Sequence, residues 1–98
     1  MRAVYATRPQ PDDPLSAIAV GERPAPEARP GWTTVRVQAA SLNWHDIATL
    51  RGIGIAPASF PMILGCDGTG VDAAGNRVLI YPVLDAPDWD GETKFAVK

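Results

Sequence analysis

Two short segments hold the side chains best suited to chemistry. The segment S-L-N-W-H-D contains Asn43, His45 and Asp46, and the segment I-L-G-C-D-G-T-G contains Cys66 and Asp67. An imidazole suits general acid–base catalysis near neutral pH, whereas a thiolate or a carboxylate suits a metal or nucleophilic attack. Because the sequence has a single histidine and a single cysteine, neither a Ser-His-Asp nor a Cys-His arrangement can be assigned from it.

Three kinds of structure could explain the glycine-rich segment: a metal site, a nucleotide-binding loop, or a tight bend between strands. A zinc site normally takes several Cys or His ligands, so one of each argues against a metal even with Asp46 or Asp67 added. A dinucleotide fingerprint needs G-x-G-x-x-G between a strand and a helix, but here the glycines are Gly65, Gly68 and Gly70, and a strand, a turn and a strand are predicted to follow. The favoured interpretation is that the glycines allow a tight bend and a close approach of strands.

Structural roles also explain the polar residues of both segments. Asn43 is a favoured N-cap, and Asp46 falls in the first helical turn, where a carboxylate meets the positive end of the helix dipole. Cys66 is explained equally well as a small buried apolar residue, and His45 as a solvated residue of the first turn. Catalytic and structural interpretations are both open at this point.

Short strands and one helix must position these residues. Ten prolines and nine glycines in 98 residues exclude long helices. Apolar alternation and turn residues predict strands over residues 3–7, 15–20, 33–40, 62–64, 69–72, 77–83 and 95–97, and one short helix at about residues 44–51 that ends at Gly52. Ile47 and Leu50 are spaced to face the core, and the strand at 77–83 is predicted to be buried. This pattern favours a mainly β domain built as a small, partly open barrel.

Composition narrows the class of protein. Hydrophobic residues make up 46% and charged residues 20% of the sequence, as in one globular domain. A formal net charge of -2 with scattered Lys and Arg predicts neither nucleic-acid nor membrane partners. The lone Cys66 permits no internal disulfide and favours the cytoplasm. Residues 1–9 do not resemble a signal peptide, and no apolar run is long enough to span a membrane.

The two segments and their flanks also carry a family resemblance. The stretch V-R-V-Q-A-A-S-L-N-W-H-D-I-A-T-L-R-G, a proline-containing loop and P-M-I-L-G-C-D-G-T-G resemble the N-terminal domain of the medium-chain dehydrogenase/reductases, over residues 1 to about 83. This family includes zinc alcohol dehydrogenases and zinc-free quinone oxidoreductases. The resemblance implies a GroES-like, partly open β-barrel over residues 1–98 that supplies substrate-side and catalytic residues. It also implies a Rossmann domain for NAD(P)H that this sequence lacks.

The resemblance implies a role for each candidate residue. Zinc members carry Cys, His and Glu where this sequence has Asn43, Cys66 and Asp67, so no zinc is expected and the quinone-oxidoreductase-like branch is favoured. Asn43 would lie beside the nicotinamide and the substrate. His45 would act as a general acid–base where zinc members relay protons through Ser or Thr. Asp46 would orient His45 or cap the helix.

The implied activity is hydride transfer from NADPH or NADH to a carbonyl, enone or quinone, without activity in the isolated chain. Arg51 would either contact a cofactor phosphate or pair locally. An alternative is a stand-alone, non-enzymatic GroES-like interaction or assembly module, in which proline-rich loops and strand edges pair with a partner or with another copy as a homo-oligomer. A third hypothesis is a metal-binding domain that uses Cys66, Asp67 and His45.

Overall fold

A computed structural model describes residues 1–80 as two three-stranded antiparallel sheets and a short helix. The strands are β1 (Arg2–Ala6), β2 (Ile18–Glu22), β3 (Arg36–Ala39), β4 (Met62–Ile63), β5 (Gly68–Val71) and β6 (Arg77–Ile80), the helix is α1 (Trp44–Arg51), and two 3-10 turns cover Pro14–Ala17 and Pro57–Ser59. The prediction of a mainly β domain with one short helix is therefore confirmed. The strand predicted at 95–97 and the end of the strand predicted at 77–83 lie outside the described residues.

The two sheets have separate strand orders. The first sheet has the order β2-β1-β4, and Tyr5 at its centre pairs with Ala19 and Ile63. The second has the order β3-β5-β6, and Gly70 at its centre pairs with Val37 and Val78. Within residues 1–80 no strand pairing closes the sheets into one barrel, so the architecture is described as two open sheets.

The core lies where the first sheet, the first 3-10 turn and α1 meet. Ala6, Ala17 and Leu50 are buried together, and Ile47 is among the half-buried residues that pack against them. The prediction that Ile47 and Leu50 face the core is confirmed. Complete burial of a leucine side chain stabilises a fold by roughly 1.5–3 kcal/mol, so this small cluster holds α1 against the first sheet.

One predicted strand starts later than its apolar pattern suggested. Residues 15–17 belong to the 3-10 turn Pro14–Ala17, and β2 begins only at Ile18. Pro14 presets a helical φ at the start of this turn, and the Ser16 hydroxyl donates a hydrogen bond to the main-chain oxygen of Asp13 at 2.7 Å. These local effects outweigh the apolar alternation of residues 15–17.

The second sheet also departs from the prediction. β3 spans only Arg36–Ala39, because its partner β5 ends at Val71, opposite Arg36, and leaves residues 33–35 without a ladder. The prediction of a buried strand from residue 77 was wrong for residues 77–80, since β6 alternates between exposed and half-buried positions and Leu79 is 87% exposed. In the described part of the chain β6 is an edge strand of its sheet.

The helix found among residues 1–80 is too short and too polar to cross a membrane.

Candidate functional site

α1 begins with a reciprocal cap built from the first segment. The Asn43 side-chain oxygen accepts a hydrogen bond from the His45 main-chain N–H at 2.9 Å, and the Asp46 carboxylate accepts one from the Asn43 main-chain N–H at 3.1 Å. This arrangement satisfies donors that the first turn of a helix leaves free. The predicted N-cap at Asn43 is confirmed, and so is the stop at Gly52, whose N–H donates to the carbonyl oxygens of Ala48 and Thr49.

The Asp46 carboxylate also joins the two segments. Its second oxygen accepts a hydrogen bond from the Gly65 main-chain N–H at 2.7 Å, and Asp46 is only 3% exposed. Charge-assisted hydrogen bonds of this kind are stronger than neutral ones. One buried carboxylate therefore fixes the start of α1 against the glycine-rich bend, which makes Asp46 a positioning residue as well as a cap.

Backbone requirements explain two glycines of the second segment. Gly65 has a φ of +91°, a conformation that L side chains rarely adopt, and this turns its N–H to Asp46. A Cβ on Gly70 would overlap the carbonyl oxygen of Arg36, and Gly70 is buried between β3 and β6. After Gly68 the described chain continues as β5, a turn and β6, so no helix N-terminus follows these glycines to receive a phosphate.

Asn43 and Cys66 lie side by side. The Asn43 side-chain nitrogen is 3.5 Å from the Cys66 sulfur. Cys66 is a free thiol and is half-buried, so it is more accessible than the interpretation as a fully buried apolar residue implied. The structure thus brings together an amide donor and a thiol that are far apart in the sequence.

A third contact joins the two segments, and the region where the segments meet is called the junction. This contact includes Ser41, which the sequence analysis did not identify. The Ser41 hydroxyl lies 2.8 Å and 3.0 Å from the two carboxylate oxygens of Asp67, and the Ser41 main-chain N–H donates at 3.3 Å. The two segments therefore run in opposite directions where they meet. The contacts are Ser41 with Asp67, Asn43 with Cys66, and Asp46 with Gly65. The sequence places Ser41 two residues before the N-cap. That position predicts a contact with Asp67 only when the two segments are already known to lie side by side in opposite directions.

The remaining predicted residues lie on the exposed side of α1. His45 is exposed on the first turn, and its carbonyl oxygen accepts a hydrogen bond from the Thr49 hydroxyl at 2.9 Å. Arg51 is exposed on the last turn, about 10 Å further along the helix axis. The junction therefore gathers Asn43, Asp46 and the second segment, leaves His45 at its margin and places Arg51 at the opposite end of α1.

An open cavity borders the junction. Its volume is about 630 Å³, and Ser41 and Asp67 form part of its lining together with residues of β3, β5 and β6. A cavity of this size falls in the range that binds small molecules. Among residues 1–80, His, Cys, Asp and Glu side chains nowhere form a group of three that could hold a metal ion.

Comparison with known proteins gives no relative for this chain, since no protein-family model, curated protein or solved structure matches it.

Proposed function

We propose that this chain is the substrate-side domain of a zinc-independent, NAD(P)H-dependent oxidoreductase that reduces quinones or enones. A GroES-like barrel and a cytoplasmic location are part of the proposal. One observation carries it: the two segments on which the resemblance to medium-chain dehydrogenase/reductases rests lie against each other, joined by the hydrogen bond of 2.7 Å from Gly65 to Asp46. Residues that act on one substrate must meet in space, and this contact between the two segments supports the proposal.

Asn43 is the proposed residue that polarises the acceptor. Its side-chain oxygen is engaged by the N–H of His45, so its nitrogen is the group left to face Cys66. That nitrogen carries two hydrogens, and one can donate to the carbonyl oxygen of a quinone or enone. Negative charge develops on this oxygen as a hydride reaches the conjugated carbon, and a fixed donor stabilises it.

His45 is the proposed proton donor. It is exposed on the first turn of α1 and two residues from Asn43. Addition of a hydride and a proton completes the reduction, and an imidazole can supply the proton near neutral pH. Asp46 contributes indirectly, because its carboxylate fixes the main chain of Asn43.

The cofactor would supply the hydride when bound, and most of its binding surface is proposed to lie in a Rossmann domain. Two of the present residues are proposed to contact such a cofactor, Asn43 and Arg51, which stand at the two ends of α1, about 12 Å apart along its axis. Arg51 is exposed, and a guanidinium can bind a phosphate with two parallel hydrogen bonds.

The donor set fits zinc poorly. An amide stands at Asn43, and its oxygen already caps α1. The carboxylate of Asp67 accepts hydrogen bonds from Ser41, and catalytic zinc is usually bound by three His, Cys or carboxylate ligands. We therefore propose a reaction in which protein hydrogen bonds polarise the acceptor.

The test is an enzyme assay on this chain joined to an NADPH-binding Rossmann domain, with the isolated chain as the control. We expect the joined protein to oxidise NADPH in the presence of a quinone or an enone and the isolated chain to be inactive. His45→Ala should lower kcat by about 100-fold, the lower end of the contribution of a general acid. A joined protein that is inactive on quinones, enones and aldehydes, or that is insensitive to His45→Ala, would contradict the proposal.

An assembly module is the second candidate, and exposed apolar strands favour it. Val4 and Val20 are cross-strand partners in β1 and β2, yet they are 46% and 57% exposed. Exposed apolar patches often mark interaction surfaces. Light scattering over a wide range of protein concentrations should then reveal a discrete oligomer that Val20→Lys disrupts. A monomer at every concentration would count against this candidate.

A further inference from the structure

The cavity beside the junction has an apolar wall built from the second sheet. Ala39, Thr69 and Leu79 are in register across β3, β5 and β6, so their side chains share one face. The Thr69 hydroxyl donates a hydrogen bond to the carbonyl oxygen of Val78 at 2.9 Å, so its one hydrogen is already used within the sheet. Ala40 and Ile80 also line the cavity, but the Ile80 side chain follows that of Leu79 in β6 and lies on the opposite face of the sheet.

The same cavity carries a negative charge at its polar end. Asp67 is half-buried, and within residues 1–80 its carboxylate contacts only donors of Ser41. An ion pair joins the N-terminal amino group to Glu22 and does not involve Asp67. A carboxylate has about four acceptor positions, so Ser41 leaves part of that capacity to a ligand.

We propose that this cavity binds a small organic cation that has an apolar body and an ammonium group. The apolar body would lie on Ala39 and Leu79, and the ammonium would pair with Asp67. An anion would be repelled by the same carboxylate. A neutral apolar molecule would partly dehydrate the carboxylate without replacing its lost hydrogen bonds.

This binding site does not depend on the proposed reductase activity. It requires neither NAD(P)H nor His45, and its test uses the 98-residue chain alone. Failure of the binding test would leave the reductase proposal standing, and an inactive joined enzyme would leave this binding proposal standing.

The experiment is an NMR titration of the full chain at low ionic strength with benzylammonium and, separately, with benzyl alcohol. Both probes present the same ring, but only the first carries a charge. We expect benzylammonium to shift the amide signals of Ala39, Asp67 and Leu79 and to bind about tenfold more tightly than benzyl alcohol, the effect of one modest charged contact. Added salt should reduce this difference.

Two variants and one control locate the charge and the apolar wall. Asp67→Asn should lower the affinity for benzylammonium about tenfold while an amide oxygen remains to accept from Ser41. Leu79→Ala should weaken the binding of both probes equally, because both rings contact the apolar wall. Leu79 is highly exposed, so this substitution leaves the core intact. Glu27→Gln makes the same change in net charge at an exposed residue outside the cavity and should leave both affinities unchanged.

Several outcomes would overturn the proposal. The absence of any shift, equal affinity for the two probes, or full retention of benzylammonium binding by Asp67→Asn would each do so. Signals of the cavity that move with protein concentration rather than with the probe would assign the cavity to a second copy of the chain instead.

Discussion

The two sheets of this domain are covered to very different extents. In the first sheet Ala6 and Met62 are buried, and Leu50 of α1 is 2% exposed where the helix packs. In the second sheet Leu79 is 87% exposed, and every residue of β3 is exposed. The end of the first sheet at Ala6 and Met62 is therefore stabilised by side-chain burial, whereas the second sheet depends more on its backbone ladder and on close approach at Gly70.

The candidate site lies between these two regions. Ser41 and Asn43 belong to the connection from β3 to α1, and Gly65, Cys66 and Asp67 belong to the connection from β4 to β5. The first connection leads from the second sheet to α1, and the second connection leads from the first sheet to the second. The packed half, which contains the first sheet and α1, thus holds the polar groups in place, while the open half, which contains the second sheet, leaves an apolar surface accessible.

A matched pair of leucine substitutions tests this contrast most directly. Leu50→Ala should lower the free energy of unfolding by about 3 kcal/mol, because it removes a buried side chain and leaves a cavity. Leu79→Ala should change it by less than about 0.5 kcal/mol, as is usual for surface positions. Urea unfolding followed by circular dichroism measures both, and similar losses in the two variants would refute the difference in packing.

Removal of the buried carboxylate should have the next largest effect. Asp46→Ala leaves the N–H groups of Asn43 and Gly65 without their acceptor, and we expect a loss of about 2 kcal/mol in the free energy of unfolding. The control Asp12→Ala changes the same residue type on an exposed loop and should have little effect. NMR should also show amide shifts at Gly65 and Cys66 in Asp46→Ala, and their absence would argue against the bridge.

The helix cap should contribute less, and two substitutions separate it from the proposed chemistry. Asn43→Ala should cost about 1 kcal/mol of unfolding free energy. Asn43→Ser keeps a capping oxygen and should restore most of that stability, but it lacks the amide nitrogen that faces Cys66. In the joined enzyme, Asn43→Ser should therefore still lower kcat, and normal activity in this variant would remove Asn43 from the proposed mechanism.

Local signals in the sequence predicted much of the packed half. Asn43, Asp46 and Gly52 define the ends of α1 through contacts made within a few residues, and the spacing of Ile47 and Leu50 identifies the buried face of the helix. Those interactions depend on nearby chain and are readable from type and spacing.

The open half and the junction were harder to predict. β6 has the composition of a buried strand, yet Leu79 is exposed, because burial depends on what covers a strand rather than on the strand itself. The pairing of Ser41 with Asp67 depends on how two distant connections pass each other. A single sequence carries no signal for that contact until the Asp46 bridge is known.

The turn between β5 and β6 should show the smallest effect, visible mainly as a pH dependence. The Asp72 carboxylate accepts hydrogen bonds from the main-chain N–H groups of Asn76 at 2.8 Å and Ala74 at 3.0 Å. These bonds, that of Asn76 above all, hold the pKa of Asp72 below its ordinary value of 3.8. The stability they contribute is therefore complete above pH 3.8 and is lost as the pH falls through the lower pKa of the folded state.

Asp72→Asn removes this titration, so the variant should be slightly less stable than the parent protein at neutral pH and should approach it in strong acid. Urea unfolding at a series of pH values measures the difference. Ala73→Ser alters an exposed neighbour in the same turn and should keep the pH dependence of the parent protein. A constant difference between Asp72→Asn and the parent at all pH values would show that the turn is stabilised by shape rather than by the ionised carboxylate.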